Sequence, residues 1–192
     1  MTDYKALHAQ LKALTEGIPY KIANLANASA VLNEALTDIN WVGFYKMVDG
    51  QLILYPFQGK TACVRIQVGK GVCGTAVAED KTQLVPNVHE FPGHIACDSA
   101  SNSEIVVPIH VNGEIWGVLD IDSPLKNRFT EADRTGLEAF AEKQYVEYLK
   151  AHTEEALLWQ ISQRDGTGLT LLLDKLAHLL FQNYNLFLLM QH

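Results

Sequence analysis

Hydrophobic positions along this chain change period several times, and each change marks an element. From residue 3 to about 36, apolar side chains recur at helical spacing: Leu7, Leu11 and Leu14 come first. After the break at Gly17-Ile18-Pro19 follow Ile22, Leu25, Ala26, Val31 and Leu32. This pattern predicts helices that cover one face of a sheet. The period drops to two at NWVGFY, where Trp41, Gly43 and Tyr45 fall on one face and Val42 and Phe44 on the other. Asp49-Gly50 is a hairpin turn signal, with QLILY as the return strand. After Pro56, ACVRIQV sets Ala62, Val64, Ile66 and Val68 against Cys63, Arg65 and Gln67, the pattern of a half-buried strand. GKGVCGTAVAED then reads as a Gly-rich turn into a short helix, and QLVPNV as a short extended segment ended by proline.

Between His89 and Ser103, HEFPGHIACDSASNS is polar, small and turn-rich, which predicts an irregular loop. EIVVPIHV and EIWGVLDID follow, joined at Asn112-Gly113 as a hairpin. A two-residue turn would pair Val111 with Glu114 and so set Ile105 beside Asp120, mixing apolar with charged positions. A three-residue loop pairs His110 with Glu114, gathers Ile105, Val107, Ile109, Ile115, Gly117 and Leu119 on one side, and places Glu104 opposite Asp120. The second register is the one expected. Thr130 and Asp133 are spaced as N-cap and third helical residue, and Leu137, Phe140, Ala141, Tyr145 and Tyr148 continue that helix.

Residues 163–168 form a break, and the last 24 residues are strongly apolar. Asp174, Lys175 and His178 interrupt this tail and no polar flank follows it, which argues against a bilayer span and for a helix packed on its own domain or on a partner. The pattern as a whole predicts an α+β domain with a mostly antiparallel sheet flanked by helices, over residues 1–150, and a C-terminal helical extension of unknown role over 151–192.

Length and charge narrow the classes. A chain of 192 residues can bury a substantial core as one domain with an appendage. A formal charge of -7 with scattered Lys and Arg disfavours a nucleic-acid surface. The N-terminal stretch is amphipathic and lacks the apolar run of a signal peptide, so a cytoplasmic location is expected. Three cysteines in such a chain argue against a structural disulfide framework and leave core, metal or redox roles open.

The chemistry-bearing residues gather between Cys63 and Asp122: Cys63, Cys73, Cys97, Glu104, Asp120 and Asp122. Taken singly, each cysteine is as well suited to a core, and Asp120 and Asp122 to a solvated strand end. Trp41 and Tyr45 are by default core aromatics. Cys97 differs, because a cysteine in a polar loop has little to pack against. Gly69, Gly71 and Gly74 spell G-x-G-x-x-G, but the sheet is hairpin-linked and no βαβ unit follows, so a dinucleotide site is rejected. His89, His94 and Cys97 lack a fourth nearby ligand and metal-knuckle spacing, so no metal is expected.

WVGFY, ACVRIQVGKGVCGTA, HIACD and VNGEIWGVLDIDS together resemble the free methionine-R-sulfoxide reductases, a family of single GAF domains, over about residues 20–148. The resemblance implies a GAF-like fold and reduction of free L-methionine (R)-S-oxide to L-methionine, with no cofactor and with thioredoxin as reductant. It further implies Cys97 as nucleophile, Cys63 as its disulfide partner and Cys73 as an auxiliary thiol. Glu104, Asp120 and Asp122 match the pocket carboxylates, and Trp41 and Tyr45 the aromatics around the substrate. The chemistry agrees: a thiolate attacks sulfur, a carboxylic acid of raised pKa protonates the oxygen, and a second thiol resolves the sulfenic acid. A surplus carboxylate can bind the substrate's ammonium. Which carboxylate does which, whether Cys73 packs or reacts, and whether the chain forms a homodimer stay open. The alternative is a GAF sensor that binds a small ligand or reports oxidation without turnover.

Overall fold

Asp3 accepts a hydrogen bond from the Ala6 amide and so starts the first helix, α1 (Tyr4–Thr15). The computed structural model describes residues 2–18, 20–93, 98–111 and 113–141. Within them follow α2 (Lys21–Ala35), β1 (Trp41–Val48), β2 (Gln51–Gly59), β3 (Arg65–Gln67), α3 (Gly71–Glu79), β4 (Gln83–Val85), β5 (Ser103–Val111), β6 (Glu114–Ser123) and α4 (Glu131–Ala139). The strands form one antiparallel sheet in the order β3-β2-β1-β6-β5-β4.

The period-two readings decide which side of the sheet each residue serves. Val42, Phe44, Ile105, Val107, Ile109, Leu119 and Ile121 meet Leu7, Leu11, Leu25, Leu32, Leu137 and Phe140, so α1, α2 and α4 cover one face. Trp41, Tyr45, Leu52, Ile66, Val85, Val106 and Val118 meet Val72, Cys73, Ala76 and Val77 of α3 on the other. Each large side chain withdrawn here contributes about 1.5–3 kcal/mol, so the two cores together fix the sheet between its helical layers.

Turn chemistry acts as expected at both strand and helix ends. Asp49 and Gly50 both have positive φ, 48° and 77°, the backbone a two-residue hairpin turn requires. The Thr130 side chain accepts from the Asp133 amide while the Asp133 carboxylate accepts from the Thr130 amide, a complete capping box. Gly117 is required by a close approach, since a Cβ there would lie 2.1 Å from the Tyr45 carbonyl oxygen.

Two expectations need correction. The β5–β6 hairpin does use the two-residue connection, with Val111 opposite Glu114 and His110 opposite Ile115. A bulge then shifts the ladder, so Ile109 pairs with Gly117 and Glu104 pairs with Asp122, not with Asp120. Asp120 instead lies opposite Val106, one pair along on the same face. The extra residue is Trp116, which packs edge-on against Tyr55 with ring centroids 5.9 Å apart. A bulge reconciles a tight turn with a clean apolar face, the conflict that a uniform ladder resolves only with a longer loop. Secondly, β3 is three residues long: Ile66 is buried, but Val64 and Val68 are 63% and 39% exposed. Alternation there reflects a short edge strand and its approach, not a half-buried strand of seven residues. The expected helix continuation through Tyr145 and Tyr148, the extension 151–192, His94 and Cys97 lie outside the described residues.

Candidate active site

Three neighbouring strands bring the site residues together at one end of the α3-facing side. Glu104 on β5, Asp122 on β6 and Trp41 on β1 stand in one cross-strand row; Val106, Asp120 and Gly43 form the next. Because Gly43 has no side chain, Asp120 looks past β1 towards the aromatic wall. Trp41 stacks between Tyr45 and Phe57, at centroid distances of 5.9 and 5.2 Å. A Cβ on Gly43 would sit 2.7 Å from the Trp41 ring, so glycine is also what lets that ring lie flat.

The opposite wall comes from α3 and from the segment between β2 and β3. Cys73, in the first turn of α3, is a free and buried thiol. Its sulfur and carboxylate oxygens of Glu104 and Asp120 all lie within 4.8 Å of one another. The Trp41 indole donates to the Lys60 carbonyl at 3.1 Å and the Tyr45 hydroxyl to the Cys63 carbonyl at 3.0 Å. These two bonds tie the chain that carries Cys63 to the aromatic wall. Cys63 itself is disulfide-bonded. The cleft so enclosed is lined by Trp41, Tyr45, Cys73, Glu104, Asp120 and Asp122, and also by Thr61, Ala62, Asp98 and Ser101.

Asp98 and Ser101 were not singled out from sequence. Asp98 accepts from the Ala100 amide, from Asn40 and from Lys60, whose ammonium is 3.2 Å away. The Ala100 amide first, and the Lys60 and Asn40 contacts with it, hold the Asp98 carboxyl below its ordinary range. An Asp two residues before a bonded amide is an Asx-turn pattern, and this was the available signal. Asn40 also donates to Ser101, so one side chain anchors both.

Burial dominates the electrostatics of the three carboxyls. Glu104 and Asp120 are each only 6% exposed. Desolvation, then the charges of Asp120 and Asp122, push Glu104 well above the usual carboxylate range. Desolvation and the Asp120 charge do the same to Asp122, opposed by a hydrogen bond from Ser101. Desolvation also raises Asp120, but hydrogen bonds from Cys73 and Glu104 restrain it, leaving it pushed up to about 6. Burial thus pushes all three carboxyls towards their protonated forms, and because they interact they titrate as one coupled cluster. Desolvation, followed by the Asp120 charge, keeps Cys73 as a thiol. One Asp120 carboxylate oxygen, Oδ1, is buried without a hydrogen-bond partner. Cys73, Glu104 and Asp120 have the donor types of a metal site, while burial pushes all three towards their protonated forms, which opposes ligation.

The raised values set a stability trend. The folded chain holds protons that the unfolded chain releases near pH 4, so this contribution is fullest below that range and is lost as pH rises through about 6 and beyond. The thermal midpoint is expected to fall between pH 5 and pH 8. Asp120→Asn, which removes the charge that opposes ionisation of its neighbours, should melt above the parent at pH 8, with the gap closing at pH 5. Equal midpoints at pH 8 would contradict this electrostatic account.

No helix among the described residues is long and apolar enough to cross a membrane. Residues 20–143 match the family model of the GAF domain, so fold and site together define a GAF domain whose pocket is lined with acids and a thiol. The free methionine-R-sulfoxide reductase of Escherichia coli strain K12 is 58% identical over 134 residues, which cover 70% of this chain and 81% of that protein. The Saccharomyces cerevisiae protein of the same name is 48% identical over 138 residues, covering 68% and 77%. Among solved structures, the substrate complex of the free methionine-R-sulfoxide reductase from Neisseria meningitidis matches with a TM-score of 0.76 and 42% identity, covering 79% of this chain and 91% of that one. The chain belongs to the free methionine-R-sulfoxide reductase family of GAF domains.

Proposed function

We propose that this protein reduces free L-methionine (R)-S-oxide to L-methionine, by thiolate attack from Cys97 and recycling through a disulfide with Cys63. The observation that carries the proposal is the Glu104–Asp120 pair, two buried and hydrogen-bonded carboxyls that burial pushes towards their protonated forms, facing a cleft walled by Trp41 and Tyr45. A sulfoxide oxygen becomes reactive only when protonated, and a carboxylic acid that keeps its proton at neutral pH is the group able to supply one. Reductase relatives and their substrate complexes support the same substrate.

In the first step the Cys97 thiolate bonds to the sulfoxide sulfur as Glu104 gives its proton to the oxygen. The hydroxyl so formed passes from the substrate sulfur to Cys97 Sγ: the substrate S–O bond and the transient Cys97–sulfur bond both break, a new S–O bond forms on Cys97, methionine leaves with the sulfur lone pair, and Cys97 is a sulfenic acid. The sulfoxide is reduced by two electrons to methionine and Cys97 is oxidised by two. In the second step the Cys63 thiol displaces hydroxide from that sulfenic acid, a proton completes water, and a Cys63–Cys97 disulfide remains. The disulfide state of Cys63 and the free state of Cys73 support this pairing. Thioredoxin, a dithiol, returns both cysteines to thiols.

Asp122 lies at the Ser101 and Asp98 end of the cleft, where the Asp98 charge adds to the effect of burial and raises it further. We assign the substrate ammonium to this end: it relieves the repulsion and lets Asp122 ionise. Trp41 and Tyr45 then enclose the thioether end. The test is turnover of the R epimer, the S epimer and a peptide-bound sulfoxide with dithiothreitol. Only the free R epimer should be consumed; no consumption of any would leave a ligand-binding sensor.

A further inference from the structure

Cys73 is the one cysteine for which the two-thiol cycle has no use, and its surroundings assign it other work. It sits in the first turn of α3, with its side chain buried against Val72, Ala76 and the strands below. Its sulfur lies within 4.8 Å of both acids of the catalytic pair. A redox cysteine needs a path to a partner sulfur and access for a reductant. Cys73 has instead a carboxylate partner and 4% exposure.

On the reading that this pocket reduces methionine sulfoxide, we infer that Cys73 is a positioning residue: its S–H donates to Asp120, fixes that carboxyl's orientation with Oδ1 turned free, and is not oxidised during turnover. Four titratable groups face or neighbour Asp120: Cys73 from α3, Glu104 from β5, Tyr45 from β1 and Asp122 from β6 itself. Cys73 and Glu104 donate to it, and donors to a carboxylate favour its charged form. Desolvation and the nearby acids keep Tyr45 and Cys73 protonated, so neither competes for the charge. Removing the Cys73 donor leaves Glu104 alone to stabilise the Asp120 anion. Asp120 then ionises later, and the Glu104 proton is shared less asymmetrically.

The test compares Cys73→Ala, which deletes the donor, with Cys73→Ser, which keeps an O–H donor and removes redox competence. In reduced protein carrying carboxyl-labelled aspartate, the Asp120 signal, assigned by its loss in Asp120→Asn, should titrate at higher pH in Cys73→Ala and return towards the parent in Cys73→Ser. With either dithiothreitol or thioredoxin, kcat should fall about tenfold in Cys73→Ala and recover most of that loss in Cys73→Ser. An unmoved Asp120 titration, serine as poor as alanine, or Cys73 found in a disulfide after turnover overturns the assignment. Because the titration needs no substrate, it decides the role of Cys73 even if the parent protein turns over no sulfoxide.

Discussion

Cys97→Ser loses turnover of free methionine-(R)-sulfoxide by about three orders of magnitude or more, with dithiothreitol as well as with thioredoxin. A serine hydroxyl is hardly ionised at neutral pH, and oxygen transfer to it would create an oxygen–oxygen bond in place of a sulfenic acid. Neither the attack nor the later disulfide has a route. Cys63→Ser should behave differently. There the sulfenic acid still forms, and a small dithiol can reduce it directly, so dithiothreitol-driven turnover survives while thioredoxin-driven turnover falls. Steady-state rates with the two reductants check both statements. Equal losses in Cys63→Ser would remove its resolving role, and substantial activity in Cys97→Ser would remove the nucleophile.

Glu104→Gln is expected to lower kcat about a hundredfold or more, with a smaller change in KM. Glutamine matches the shape of the acid and can still donate to Asp120, but it has no proton to give the sulfoxide oxygen. Asp122→Asn should divide the other way. Losing a charge-assisted contact to the ammonium raises KM by about ten- to a hundredfold and spares kcat. If the two variants show the same split between kcat and KM, the assignment of proton delivery to Glu104 and amine binding to Asp122 is wrong.

Much of the frame was legible because side-chain alternation is a strict geometric consequence of strand structure. Val42 and Phe44 against Trp41 and Tyr45, and Ile105 and Leu119 against Glu104 and Asp120, separate onto the two faces as their spacing demands. The partner of Glu104 was not legible, because a bulge at Trp116 costs one residue of register and leaves no mark in a hydrophobic pattern that resumes in phase. The reach of β3 was misread for a related reason: exposed valines at an edge alternate just as buried ones do.

Within the site, residue types announced the acids, but how easily each ionises depends on hydrogen bonds that only the packing supplies. Asp120 is raised less than burial alone would raise it, since Cys73, far off in sequence on α3, donates to it. Asp98 was hidden in the same way, its importance resting on Asn40 and Lys60 from the other side of the cleft.

The pocket's function reduces to one stoichiometry. Fully reduced protein, mixed with excess free methionine-(R)-sulfoxide and no external reductant, should yield one methionine per chain and, on peptide mapping, a Cys63–Cys97 disulfide with Cys73 still a thiol. A chain that binds the sulfoxide yet releases no methionine, with Cys63 and Cys97 still reduced, would contradict the account.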